Sequence, residues 1–249
     1  MKKEGIFALM VIAIFLVIAC MFVGLPAREN IAIFSGHPNW MPYMGTDKSG
    51  EYNVGIGPNT TMLAFETIDV KVISKNLGSW ENAQELAKKG EIDGLVAAYK
   101  TKEREDFYVF SVPYAYDNVT IFSLKENAFV FVKKEDLLSK NGIATIGDSY
   151  GQEMDDYIIQ ANVPMVRASS PEQAFTMLAE KKGDYVIYSS DSGRKLIKEM
   201  NLSGVVESEP VARQSFHVAI SKKSKYAKDI GAINTAIENM IAKGTIPKQ

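Results

Sequence analysis

From Asn30 onward, short runs of β-branched residues alternate with longer runs in which apolar residues recur every three or four positions. Residues 31–34 read as a first strand and 58–66 as a helix. Its leading proline suits a first helical turn, where a missing N–H removes nothing. Residues 69–74 form a second strand. Ser79 or Trp80 precedes a helix over 81–89 that Gly90 closes, and 92–97 is a third strand. A second unit follows, with strands at 142–146, 163–166 and 184–188 and helices at 150–161, from Ser170 to about Lys181, and at 192–200. Ser170-Pro171-Glu172 is a strong helix start, the serine capping and the proline entering the first turn. Tyr226, Ile230, Ile233, Ile237 and Met240 place one apolar face on a last helix, which must dock on the core. Alternating β and α elements predict an α/β fold with largely parallel sheets, and such units bind ligands at the carboxyl ends of their strands.

The first residues differ from the rest. Lys2 and Lys3 precede an almost wholly apolar run over 6–25, which reads as an export signal or N-terminal anchor within 1–27. Three fates are open. Cleavage near Ala27 suits Leu25-Pro26-Ala27; Val17-Ile18-Ala19-Cys20 resembles a lipobox, with Cys20 lipidated; and about 20 apolar residues suffice for a retained span. Each puts the folded part outside the cytoplasmic membrane. Cys20 is the sole cysteine, so the domain has to hold together through its core rather than through disulfides.

With 249 residues, 46% of them hydrophobic, the chain can bury a large core as one large or two small domains. A net charge of −2 offers no basic field for nucleic acid, and two histidines with one cysteine offer no spaced metal set. Neither a metal nor a cofactor is expected.

The most informative stretch begins at Gly90-Glu91-Ile92-Asp93-Gly94-Leu95-Val96. It continues through Ala97-Ala98-Tyr99-Lys100-Thr101-Lys102-Glu103-Arg104 to Phe110-Ser111-Val112-Pro113-Tyr114. This run resembles the signature of the family 3 extracellular solute-binding proteins. The resemblance implies a two-lobed, type II periplasmic-binding-protein-like fold with mixed, mostly parallel sheets. Lobe 1 would take 28–117 and 216–249 and lobe 2 118–215, with hinge crossings near 117–121 and 211–216. It implies an extracytoplasmic monomer that captures a small carboxylate-bearing solute, an amino acid or a related compound, and delivers it to the permease of an ABC importer.

Arg104 is the leading site residue. A guanidinium just past a buried strand can grip a carboxylate with two parallel bonds, as lysine cannot, and the family holds its solute's carboxylate at this position. The alternative is a solvated charged turn over 102–106. Thr101 is expected to brace that turn. Tyr99 stands where the family carries smaller residues and either reaches solute or packs. Trp40 and Tyr43, in a loop stiffened by Pro38 and Pro42, are candidates for aromatic cover; His37 is a weaker one, more often a structural hydrogen-bonder. Gly147-Asp148-Ser149 resembles the family's second carboxylate-binding turn, so Asp148 and Ser149 would oppose Arg104 or simply cap the next helix. The family's amine-binding aspartate falls here on Ser189, with Tyr188, Ser190 and Asp191 as neighbouring substitutes. Trp80 reads as core.

Two other functions are carried forward: a ligand-sensing subunit for a signalling partner, and a cyclohexadienyl-dehydratase-like enzyme. The second would need a cleft acid or base, for which only Glu153 and His37 can be named.

Overall fold

The computed structural model describes residues 30–246; the export, lipidation and anchor readings of 1–27, Cys20 included, lie outside the described residues. Among the described residues no helix is long and apolar enough to cross a membrane.

The first half opens with β1 (Ile31–Ser35), followed by three very short strands, β2 (Asn39–Trp40), β3 (Met44–Thr46) and β4 (Asn53–Val54), which pair antiparallel as a small separate sheet. Next come α1 (Ile56–Glu66), β5 (Lys71–Ser74), α2 (Trp80–Lys89), β6 (Gly94–Tyr99), a single-turn α3 (Lys102–Glu105) and β7 (Tyr108–Phe110). Local chemistry explains the boundaries. Ser79 Oγ accepts the Asn82 N–H to start α2, and Gly90, at φ 78°, ends it in the left-handed region that glycine enters without steric cost.

The second half contains β9 (Gly142–Thr145), α4 (Gln152–Gln160), β10 (Met165–Ala168), α5 (Pro171–Ala179), β11 (Tyr185–Ser189), α6 (Ser190–Glu199) and β12 (Val205–Glu207). Two ten-residue strands join the halves, β8 (Ala115–Leu124) and β13 (Ala212–Ser221), and α7 (Ile230–Ala242) returns to the first half. The main sheet runs β10-β9-β11-β8-β13-β6-β1-β5. Parallel pairing holds β5, β1 and β6 on one side and β10, β9 and β11 on the other; antiparallel pairing centres on β8 and β13. Residues Ala212 to Phe216 of β13 pair with β8, and from Phe216 onward the strand pairs with β6. The chain thus passes twice between the halves, giving the expected two-lobed α/β fold.

Several predicted edges shift. The third strand occupies Gly94–Tyr99 because Asp93 is tied to β1 instead: its Oδ2 accepts the Ile33 N–H at 2.8 Å, and its N–H donates to Ile33 O. The helix expected over 150–161 begins at Gln152, after Gly151 at φ 94°. Its neighbouring strand starts at Met165, since the Val163 N–H closes the preceding helix on Ile158 O. The segment 102–106, for which a solvated charged turn is the alternative reading, is the helical turn α3 with Arg104 buried, and Thr101 braces it by accepting the Arg104 N–H on Oγ1. The last helix docks as its stripe requires, with Ile233 and Ile237 wholly buried and the Tyr226 hydroxyl donating to Ile31 O.

Candidate ligand site

Arg104 leaves α3 toward the interior and is only 7% exposed. Its Nη1 donates to Tyr99 O at 3.1 Å and its Nη2 to Gly147 O, in the other half, at 3.4 Å; the guanidinium lies 5.6 Å from the centre of the Trp80 ring. It is therefore a buried cation held by backbone oxygens from both sides, not a surface charge. Gly147 O also accepts Gln84 Nε2 at 3.1 Å, so the turn 147–149 is clasped from α2 as well.

Within that turn the two polar residues behave differently. Ser149 Oγ donates to Asp155 and accepts the Gly151 N–H at 3.2 Å, while Asp155 Oδ1 accepts the Tyr150 N–H at 2.8 Å. Ser149 thus stitches the loop, and Gly151, not Asp148 or Ser149, occupies the cap position of α4. The Asp148 side chain is fully buried, and neither carboxylate oxygen makes a well-aligned hydrogen bond among the described residues, the Thr145 side chain being the one hydrogen-bonding group that helps hold its charge. Burial pushes this carboxyl up to about 8, partly opposed by Arg104. The His37 ring lies beside it, with Nε2 3.7 Å from Asp148 Oδ1. Since His37 Nδ1 accepts the Asn39 N–H at 2.9 Å, the neutral ring carries its proton on Nε2, and burial holds its pKa down near 3.

Aromatic residues build the remaining wall. Trp40 lies 4.6 Å from Tyr188 and 6.0 Å from Tyr99, ring centre to ring centre, and Phe216 lies 4.9 Å from Tyr99 and 4.5 Å from Tyr43. Their polar ends converge on Asp117 of β8. Its carboxylate accepts Trp40 Nε1 at 2.9 Å, the Tyr99 hydroxyl at 2.5 Å and Ser189 Oγ at 2.8 Å. Burial raises Asp117 to about 6 despite these donors. Tyr43 and Tyr188 send their hydroxyls to Tyr116 O and Asn39 O, each at 2.6 Å.

Trp40, Tyr99, Arg104, Asp148, Ser149 and Phe216 line one small cavity of about 10 Å³, room for a single water. Arg104, Asp148 and Ser149 also border an outer opening of about 290 Å³, rimmed by Glu81, Glu103 and Arg167. Of the eight residues singled out from the sequence, Trp40, Tyr99, Arg104, Asp148 and Ser149 face the cavity together. Tyr43, Tyr188 and Ser189 stand behind its aromatic wall, and Ser189 caps α6 by accepting the Ser192 N–H at 3.4 Å. Trp80, read as core, is buried and also lines the cavity.

Asp191 does not replace the missing acid at 189. It is half-exposed, paired with Arg194 and 3.3 Å from the Tyr43 hydroxyl. Glu153, named for acid–base work, projects into solvent and pairs with Lys134. Sequence reasoning missed Asp117 and Phe216. For Asp117 a signal existed: along β8, buried Ala115, Asp117 and Val119 alternate with exposed Tyr116 and Asn118, so an acidic side chain sits on the inward face of a hydrophobic strand.

No curated protein matches the chain. Among solved structures it is similar to a histidine kinase sensor domain with similarity to periplasmic binding proteins (TM-score 0.76, 19% identity, 88% of this chain and 93% of that one). It is similar also to an ancestral arginine-binding protein bound to arginine (0.73, 22%, 87% and 94%). A third is an amino acid ABC transporter substrate-binding protein from Streptococcus pneumoniae bound to L-arginine (0.70, 20%, 87% and 91%). At these identities the likeness establishes the fold, and the sequence match goes further. Residues 33–249 fit the bacterial extracellular solute-binding proteins, family 3, and the chain belongs to that family.

Proposed function

We propose that this protein is an extracytoplasmic receptor that closes lobe 1 (28–117 and 216–249) and lobe 2 (118–215) around a small carboxylate-bearing solute, an amino acid or a close relative, and presents it to an ABC importer's permease. The observation that carries this reading is Arg104. A buried guanidinium is costly unless its donors are met, and among the described residues two of its five N–H groups are taken, by Tyr99 O and Gly147 O. The rest suit a carboxylate entering the cavity beside the aromatic wall. Charge-assisted bonds formed there, away from water, are stronger than at a surface. Closure fits the same geometry, since Arg104 reaches from lobe 1 to the turn 147–149 of lobe 2 and a solute between them would be touched by both.

Arg104→Ala tests the reading. Truncating one partner of a buried, hydrogen-bonded charge pair costs about 2–5 kcal/mol. Calorimetry with whichever carboxylate stabilises the wild type should therefore show at least a thirtyfold weaker complex. Unchanged affinity would remove Arg104 from the site.

A further inference from the structure

Away from the cleft, the run Ala128-Phe129-Val130-Phe131-Val132 has no part in the function proposed above. We propose that it pairs antiparallel with the same run of a second copy, joining two receptors side by side in a weak dimer.

Three observations lead there. First, Val130 and Val132 are 81% and 78% exposed, more than any other large hydrophobic side chain among the described residues, while Phe129 and Phe131 pack against the core. That alternation is the period of an extended strand, here with an apolar face in water. Second, among the described residues the backbone N–H and C=O groups of Phe129, Val130 and Phe131 make no hydrogen bond. A β-prone run without proline, glycine or charge, and with its backbone unpaired, is a template for another strand; a lipid surface would leave those groups unsatisfied.

Third, the flanking charges select the partner and the register. Antiparallel self-pairing about Val130 sets Glu126 opposite Lys134 and Lys125 opposite Glu135. A slip of one residue sets Glu126 against Glu135 or Lys125 against Lys134, and a slip of two sets Lys125 against Lys133 or Glu126 against Asp136. Parallel pairing in register stacks every charge on its own copy. Like charges placed opposite one another destabilise a strand pair, so the register about Val130 is favoured over its neighbours. The charges stand on one-turn 3-10 helices, Lys125–Asn127 and Lys134–Leu137, at the ends of the pair rather than inside its ladder. Their present partners, Lys181 for Glu126 and Glu153 for Lys134, form surface pairs that contribute little and can be exchanged. The Phe129 ring lies 5.9 Å from that of Tyr185, at the opposite end of β11 from Ser189, so pairing leaves the cleft free. So short a run buries well under the roughly 1,600 Å² of a standard interface, which is why the dimer is weak and forms where receptors are crowded.

Cysteine crosslinking of the full chain tests this, with the native Cys20 as background. In the proposed register residue 130 faces its own copy, so Val130→Cys should give an oxidised dimer at least about tenfold above that background. Ala128→Cys alone should not, because 128 faces 132; Ala128→Cys combined with Val132→Cys should. Added to Val130→Cys, either Glu126→Lys or Lys134→Glu should cut the dimer about threefold, and the two together should restore it. The side chains at 126, 128, 130 and 132 are exposed, and circular dichroism checks that each variant is folded. A Val130→Cys yield no higher than the Cys20 background overturns the inference and leaves the run to a strand of another protein. A yield that the charge reversals do not change reports random collision and overturns it as well. Sedimentation gives a reading that needs no cysteine: mass should grow with concentration in the wild type and not in Val130→Lys. Growth that is absent, or equal in the two, overturns the proposal.

Discussion

Asp148 and His37 face each other across 3.7 Å, yet burial pushes them in opposite senses, and the pH dependence of stability follows from that. The folded-state pKa of Asp148, about 8, lies above its ordinary 3.8, so the folded protein holds this proton more tightly than the unfolded chain does. The associated stability is fully present below about pH 4 and is lost as pH rises through 8. His37, lowered from 6.5 to about 3, behaves conversely. Its stability is present above 6.5 and is lost as pH falls toward 3. Asp148→Asn removes only the first dependence. Its melting temperature should exceed that of the wild type by a margin that widens from pH 4 to pH 8, at roughly 2–4 °C per kcal/mol for a chain of this size. Thermal scans of both proteins across that window measure the margin, and a constant margin would mean that Asp148 does not titrate there.

At the scale of elements, the sequence was most legible where the determinants are local. Ser79, Gly90, Ser170 and the Tyr226-to-Met240 stripe mark helix ends and faces within a few residues, and all act as read. The strands β2, β3 and β4 escaped because two or three residues carry no periodicity, and their pairing is set by tertiary contact. The crossings were placed by family resemblance, whereas the consequence of β8 was readable from its alternation and went unread: Asp117 belongs to the buried face. That carboxylate orders the wall of the site by accepting from Trp40, Tyr99 and Ser189, residues on β2, β6 and β11. Asp117→Ala strands three donors in a dry interior, each an expensive loss, and should destabilise the protein by about 2–4 kcal/mol. Urea unfolding gives the number. A change within 0.5 kcal/mol would show that Asp117 is dispensable to the wall.

At the scale of the whole molecule, the lobes meet through direct contacts as well as through the hinge strands. The Tyr188 hydroxyl donates to Asn39 O at 2.6 Å, Ser192 Oγ to Met41 O at 2.8 Å, and the Lys102 N–H to Gln152 Oε1 at 2.8 Å. These contacts and the aromatic wall leave about 10 Å³ in the inner cavity, whereas the outer opening beside Arg104 measures about 290 Å³. A solute of amino-acid size can reach Arg104 in two ways: by parting the lobes and displacing Trp40 and Tyr99, or by staying outside. The chain has two tryptophans, Trp40 and Trp80, and both line the inner cavity. Entry there changes the polarity around both indoles, and it breaks or re-forms the Trp40 bond to Asp117. Intrinsic fluorescence should therefore shift in wavelength or intensity in step with binding measured by calorimetry. Trp80→Phe should keep most of the signal and Trp40→Phe should lose it, because Trp40 sits on the element that has to move while Trp80 opens the packed helix α2. Calorimetric binding with silent fluorescence in the wild type would place the solute in the outer opening and leave the inner cavity a packed seam between the lobes.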